Sequence, residues 1–304
     1  RILTGAPMPA GADAVVMQED TTPAADQIVV NTTVAPGEFV RRRGGDVAPG
    51  QKLVSAGQRI RPATAALLAS QGLASIEVGT APRVSIVSTG DELAPPGTEL
   101  RAGQIYDANT PLLAALVRRC GAAVASAEHA VDDERATTNA VRRGIDSDVL
   151  IVTGGVSVGA RDFVKPAVVA AGGEIAVWRV SLKPGKPFVF GRANNCAIFG
   201  LPGNPVSAFV TFLLFVRPAI LKLAGAADEW LSLPSVPATV AADIANDGDR
   251  PHYVRGSLNG GAFTPVGRQE SHAIYGLSRA DALLLVPPRA AINRGDIANV
   301  FVFD

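Results

Sequence analysis

Asp148-Val-Leu-Ile-Val-Thr-Gly-Gly-Val-Ser-Val-Gly159 decides the reading of this chain. Its apolar half is a strand of the fully buried kind, with no polar alternation to give it a wet face. Its glycine-rich half is a turn that leads toward a helix face of Phe163, Val164, Ala167, Val168 and Ala171, ended by Gly172-Gly173. Outward from it the same alternation recurs between Pro82 and about Ala227. Arg83-Val-Ser-Ile-Val-Ser88 reads as a strand. Asn109-Thr-Pro111 opens a helix with Leu112, Leu113, Leu116, Val117 and Cys120 on one face. Ile175–Val180, Phe188–Phe190 and Ala197–Phe199 read as further strands, and Pro205 to about Leu223 as the last long helix. Strands alternating with helices predict an α/β unit with a mostly parallel sheet covered on both faces, its ligands gathered at the carboxyl ends of the strands.

On either side the texture changes. Short apolar runs at Asp13–Met17, Gln27–Asn31 and Glu38–Arg41, punctuated by Pro and Gly, predict a small β-rich unit over residues 1–50. Pro62 to Gln71, closed by Gly72, predicts a helix within a linker over 51–80. The α/β unit then covers 81–233. Short strands and turns after Pro234 predict a terminal β domain over 234–304.

Composition excludes several classes. The chain has 304 residues, and 28 Lys plus Arg balance 28 Asp plus Glu, so no overall field draws it to nucleic acid or to an anionic membrane. Hydrophobic residues make up 47% and charged ones 18%, which rules out disorder. Cys120 and Cys196 are its only cysteines, too few for a disulfide scaffold or a cysteine zinc site, and a reducing cytoplasm is the simplest compartment. The uncharged stretch from Ala193 to Val216 is broken by Gly200-Leu-Pro-Gly-Asn-Pro205, so it reads as strand, turn and buried helix rather than a membrane span. The opening Arg1-Ile-Leu-Thr-Gly5 has neither an initiator Met nor the layout of a secretory signal, and reads as the start of a fragment or of a trimmed numbering.

Chemistry concentrates at strand exits. Ser88-Thr-Gly-Asp-Glu-Leu93 and Thr153–Gly159, with Asp162 just beyond, are turns whose backbone N–H groups suit an anion, although glycines after a strand are more often plain turns. Lys183-Pro-Gly-Lys-Pro187 is either a solvated hairpin tip or a rigid cation pair for an oxyanion, with Arg179 near enough to join it. Gly200–Ser207 is a stiff turn into a helix, and Ser207 sits among its free N–H groups. On one rim these exits bring Ser157, Lys183, Lys186 and Ser207 to an anion. Asp91, Glu92, Asp132, Asp133 and Asp162 are there for a cation, as a nucleotide or phosphoester with Mg²⁺ requires. The run Asp132-Asp133-Glu134 also reads as a helix N-terminus. His129, His252 and His272 have no metal-ligand spacing. No Walker motif and no Gly-x-Ser-x-Gly elbow occurs.

Together these motifs resemble the molybdopterin molybdenumtransferases, the family of bacterial MoeA and the gephyrin E domain. The matching stretches are Thr4–Val16, Arg42–Asp46, Ser88–Leu93, Gly103–Asn109, Gly154–Gly159, Lys183–Pro187, Gly200–Ser207 and Arg268–His272, in family order along nearly the whole chain. The resemblance implies an enzyme that inserts molybdate into the dithiolene of adenylylated molybdopterin and releases AMP with Mg²⁺. It also implies an elongated homodimer, a β-rich lid, a C-terminal β-barrel-like domain and contact with the molybdopterin adenylyltransferase. Its family roles put Ser157 and Asp162 at the nucleotide end, with Gly154 and Gly155 in the same loop. Glu92, Asp132 and Asp162 serve Mg²⁺ or hydrolysis. Lys183, Lys186, Arg179, Pro202, Pro205, Ser207, Arg250 and Ser271 line the anion positions, with Arg255 a competing match for Arg250. Thr4 and Asp46 act across the dimer. Two departures stand out: the family's N-terminal segment, with a further acidic residue, is absent from this numbering, and Glu270 stands where a small or neutral residue is common.

Overall fold

A computed structural model describes residues 1–156 and 163–303. In chain order the N-terminal part holds β1 (Thr21–Ala24), β2 (Gln27–Val30) and α1 (Pro62–Ser70). The central part holds β3 (Arg83–Thr89), β4 (Leu93–Ala94), β5 (Ile105–Tyr106), α2 (Asn109–Arg119), β6 (Ala123–Ala130), α3 (Glu134–Gly144), β7 (Val149–Thr153), α4 (Val164–Ala170), β8 (Glu174–Trp178), β9 (Val189–Ala193) and β10 (Cys196–Leu201). A long helix closes it, α5 (Pro205–Thr211) passing through a π-helical turn at Phe212–Val216 into α6 (Arg217–Leu223). The terminal part holds β11 (Ser235–Val240), β12 (Ile244–Asn246), β13 (His252–Asn259), β14 (Ala262–Pro265), α7 (Ile274–Leu277), β15 (Ala282–Val286), β16 (Ala290–Ile292) and β17 (Ile297–Val302).

The central sheet has six strands in the order β6-β3-β7-β10-β9-β8. The pairings of β3 with β6, of β3 with β7 and of β7 with β10 are parallel, while β9 runs antiparallel to both β10 and β8. The expectation of a mostly parallel sheet is met on one side, and the other side is a returning hairpin. That return matters for the site. Because β9 reverses between β8 and β10, β8 points the same way as β10, and the β8–β9 connection lies at the carboxyl rim with the exits of β3, β7 and β10.

Period-two alternation builds the core on both faces. Val149 and Ile151 of β7 cluster with Leu113 and Val117 of α2 and Val206 and Val210 of α5, while Leu150 and Val152 cluster with Val141 of α3 and Val164 and Val168 of α4. All of β7 is buried, as its unbroken apolar run requires. Pro205–Leu223 is, among the described residues, the one helix long and apolar enough to cross a membrane by length and composition. Here Phe212, Val216 and Ile220 are fully covered within the domain core.

β11, β14, β13, β15 and β17 close into a barrel around Val240, Val254, Phe263, Leu284 and Val300. Its outer face continues the central core. Leu283, Tyr253 and Phe301 pack on the cluster that holds α5, and Phe303 stacks edge-on against Phe209 with ring centroids 4.9 Å apart. Seated in this way, the barrel brings its loops to the same rim. The N-terminal part holds one two-stranded sheet, β1–β2. Asp13–Met17 and Glu38–Arg41, expected as strands, are irregular or turn, and Phe39 has a left-handed φ of 55° that no strand accommodates.

Candidate functional site

Four chain segments meet at the rim, and local sequence explains why each stays put. At the β7 exit, Gly154 and Gly155 have φ of +89° and +60°. A Cβ on Gly154 would sit 2.5 Å from the Thr89 carbonyl oxygen, so only glycine allows the turn to lie against β3. At the β3 exit, the Gly90 carbonyl accepts from His129 Nε2 at 2.7 Å, and the Asp132 amide donates to Asp91 Oδ1 at 3.0 Å. His129 is therefore a structural brace. Asp133 caps α3 by accepting from the Ala136 amide at 2.8 Å, which separates the capping carboxylate from Asp132, the one that faces the cleft.

The β8–β9 connection carries the lysines. Leu182, Pro184 and Gly185 are buried while Lys183 and Lys186 are exposed. A Cβ on Gly185 would lie 2.6 Å from Thr211 Cγ2 of α5, so the turn is pressed onto that helix. The barrel fixes it from the other side. The Lys183 amide donates to the Pro251 carbonyl at 2.9 Å, the Tyr253 amide donates to the Lys183 carbonyl at 2.8 Å, and Arg250 Nη1 donates to the Leu182 carbonyl at 2.8 Å. Neither ammonium group has an ion pair among the described residues. The backbone of this hairpin turn is therefore fixed on both sides, and both lysine side chains extend from it exposed.

The fourth segment is the barrel loop Arg268–Ser271. Arg255 is almost fully buried and donates to the carbonyls of Arg268 and Glu270. Its own amide and carbonyl exchange hydrogen bonds with the Gln269 side chain at 2.9 and 3.0 Å. Burial holds its guanidinium below the usual range, partly offset by Glu270. Ser271 is tied to α5, accepting from Asn204 Nδ2 at 2.9 Å through its hydroxyl and from the Val206 amide at 3.1 Å through its carbonyl.

Between these segments lies a cleft of about 780 Å³. Glu92 and Asp132 line it together with Gly154 and Gly155. Lys183, Lys186, Arg250, Pro202, Ser207 and Ser271 line it as well. Arg250 faces the cleft and Arg255 braces the loop beneath it, which separates the two competing matches by place. Pro205 is not in the lining: it is the first residue of α5. Arg179 is exposed outside it, and so are Thr4 and Asp46. Ser157 and Asp162 lie outside the described residues.

Sequence reading gave no role to Asn109, Asn204 or Gln269, all of which line the cleft. Asn109 Nδ2 donates to Thr153 Oγ1 at 2.8 Å and to the Gly203 carbonyl at 2.7 Å. Thr153 Oγ1 in turn donates to the Pro202 carbonyl at 3.2 Å. One buried amide thereby locks the β7 exit to the Gly200–Pro205 turn. Asn109 closes the quoted stretch Gly103–Asn109, which was the available signal.

Matches to family models cover most of the chain. The "Probable molybdopterin binding domain" matches residues 85–222, the "MoeA N-terminal region (domain I and II)" residues 1–72, and the "MoeA C-terminal region (domain IV)" residues 237–303. Molybdopterin molybdenumtransferase 2 of Mycobacterium tuberculosis (strain ATCC 25618 / H37Rv) is 40% identical over 296 residues, covering 94% of this chain and 72% of that protein. The chain belongs to the molybdopterin molybdenumtransferase family. The Haemophilus influenzae molybdopterin molybdenumtransferase is 35% identical over 312 residues, covering all of this chain and 77% of that one. The crystal structure of the MoeA protein from Pyrococcus horikoshii OT3 superposes with a TM-score of 0.79 at 27% identity, covering 99% of this chain and 74% of that one. The transferase family assigns the chain an enzymatic role in molybdenum cofactor biosynthesis, and the α/β sheet with a closed β barrel is its fold.

Proposed function

We propose that the chain inserts molybdate into the dithiolene of adenylylated molybdopterin and releases AMP. The observation that carries this reading is the polarity of the cleft: Lys183, Lys186 and Arg250 with Ser207 and Ser271 in its lining, and Glu92 with Asp132 in the same lining. Molybdate is a tetrahedral dianion, so it needs fixed cations and hydroxyl donors, and fixed is what the pinned lysine turn supplies. Insertion balances as molybdate plus a dithiol giving the trioxo dithiolene species and one water, and one water is consumed in hydrolysing the adenylyl phosphoanhydride to AMP and a phosphomonoester. The two thiol protons leave with the departing oxide, so no side-chain covalent intermediate is needed. The cations hold charge that does not change sign during the exchange, and this is preorganised electrostatic stabilisation.

The hard oxygen donors Glu92 and Asp132 fit Mg²⁺, which commonly takes one or two carboxylates with substrate phosphate and water, and no cluster of three acidic, His or Cys residues is found among the described residues. When bound, Mg²⁺ neutralises phosphate charge at the adenylyl linkage. Gly154 and Gly155 offer backbone to that phosphate, and Ser157 and Asp162 follow them in sequence. The reading includes residues 1–50 as a lid, 51–80 as a linker, 81–233 and 234–304 as the two walls of the cleft, and a cytoplasmic homodimer in which Thr4 and Asp46 serve the cleft of a second copy. Contact with the adenylyltransferase that makes the substrate belongs to the same proposal.

The test is molybdate-dependent AMP release from adenylyl-molybdopterin. Lys183→Ala and Lys186→Ala should each abolish it while circular dichroism and the unfolding midpoint stay unchanged, because both side chains are exposed. Turnover like that of the parent in either variant would remove the lysine turn from the reaction.

A further inference from the structure

The oxyanion end of the cleft contains one group of the wrong sign. Glu270 lines it alongside Lys183, Lys186, Arg250 and Ser271. Its place is not a loose accident of a floppy loop. The Glu270 carbonyl is held by the Arg255 guanidinium at 3.3 and 3.4 Å and by the Ala273 amide at 3.2 Å, and its neighbours Gln269 and Ser271 are tied to β13 and α5. The backbone at 270 therefore has a fixed position at the cleft, and the exposed side chain leaves from it. The carboxylate has no ion pair or hydrogen bond among the described residues; it interacts electrostatically with the buried Arg255 behind it. The charged groups facing this end are Lys183 and Lys186 of the β8–β9 turn and Arg250 of the barrel, with Arg255 buried beneath the loop. Glu92 and Asp132 sit on the opposite wall, and neutral His252 lies behind Lys183.

We infer that Glu270 is a specificity-determining residue that reads the protonation state of the oxyanion. A carboxylate repels an oxyanion with no proton, such as sulfate or molybdate at pH 7.5. It accepts a hydrogen bond from one that carries a proton, such as hydrogen phosphate. A polar group placed to pair with a ligand O–H discriminates against the analogue that lacks it. The anion end is thus tuned away from the tightest binding of a bare dianion and toward protonated oxyanions, which keeps molybdate exchangeable in the cleft. This inference rests on the reading of the lysine turn as an oxyanion site.

The test is isothermal titration calorimetry of the full chain at pH 7.5 with sulfate, molybdate and inorganic phosphate, on the parent, on Glu270→Gln and on Lys183→Ala/Lys186→Ala. An exposed charge contributes at most about a fivefold change in affinity. Sulfate and molybdate should therefore bind Glu270→Gln about threefold to fivefold more tightly than the parent, while phosphate gains nothing or weakens. An unchanged phosphate-to-sulfate ratio, or equal gains for all three anions, overturns the inference. If all three bind the double lysine variant as they bind the parent, it is the oxyanion reading itself that fails. If the lysine variant loses binding but Glu270→Gln matches the parent, only the role of Glu270 falls. No measurable binding of any anion to the parent or to Glu270→Gln counts against both.

Discussion

Arg250 and Arg255 are five positions apart on one arm of the barrel, and their replacement by Met should have opposite signatures. Arg255 is 1% exposed, and its guanidinium supports the carbonyls of Arg268 and Glu270. A hydrogen bond from a charged donor is worth about 1.5–3 kcal/mol, and the two longer contacts to Glu270 add little. Met fills most of the space and also relieves the desolvation that holds the Arg255 guanidinium below its usual range. The net loss for Arg255→Met is then about 2 kcal/mol in urea unfolding, with weaker oxyanion binding as a consequence of a loosened Arg268–Ser271 loop. Arg250 is different. Its side chain is 31% exposed; it donates one hydrogen bond, to the Leu182 carbonyl at 2.8 Å, and forms a long ion pair with exposed Asp249 at 3.7 Å. Arg250→Met should cost no more than about 1 kcal/mol of stability but lower molybdate affinity by about tenfold, the worth of one charge-assisted contact. Urea denaturation and calorimetric titration of both variants decide the matter. A stable Arg255→Met with normal loop function, or an unstable Arg250→Met with normal affinity, would refute the division of labour.

Two further outcomes follow from local geometry. Gly154→Ala combines a left-handed φ with a Cβ 2.5 Å from the Thr89 carbonyl oxygen, so the variant should lose about 2–4 kcal/mol in urea unfolding and lose turnover; a variant as stable as the parent would show that the β7 exit yields easily. His252 is buried with neither ring nitrogen hydrogen-bonded among the described residues, and burial, then Lys183, Arg255 and Arg250, push its pKa from 6.5 down to about 4. Between those values the unfolded chain binds the proton more readily, so stability falls as pH drops from 6.5 toward 4, by up to about 3 kcal/mol, and is unaffected by this group above 6.5. His252→Gln should flatten that part of the pH–stability curve relative to the parent, and curves that stay parallel would locate the acid sensitivity elsewhere.

Much of the fold could be read from the chain alone because its central strands are buried on both faces. Val149–Thr153 has one hydrophobic signature and no competing one. β6 escaped notice for the converse reason. Ala123–Ala130 is an edge strand, mostly exposed, and its small and polar residues carry no clean period. Glu38–Arg41 misled in the other direction: its apolar residues suit a strand, but Phe39 turns left-handed, and its pairing with Asp13–Met17 goes no further than the backbone bonds Gly37 N to Asp13 O and Val15 N to Glu38 O. The antiparallel return of β9 was legible only as one of two readings of Lys183–Pro187, the hairpin tip, since a Pro-Gly turn between apolar runs does not by itself state how its strands pair. At the site, residue type and spacing pointed to the lysine turn and the Gly-Gly turn, while Ser271, Arg250 and Arg255 entered through the family resemblance. The resemblance did not distinguish Arg250 from Arg255, because burial separates the two and burial depends on the distant loop that Arg255 supports. Asn109 was legible as part of a motif but not as the amide that joins two strand exits, a contact spanning 94 residues of sequence.

The most direct measurement of the single bipolar cleft is a crystal structure of the chain soaked with molybdate, AMP and Mg²⁺, with the molybdenum located by its anomalous scattering. Expected is molybdenum held among Lys183, Lys186, Arg250 and Ser271, and the AMP phosphate beside Gly154 and Gly155 in the same cleft. Molybdenum bound away from the lysine turn, or AMP on a surface separate from it, would contradict the proposed reaction.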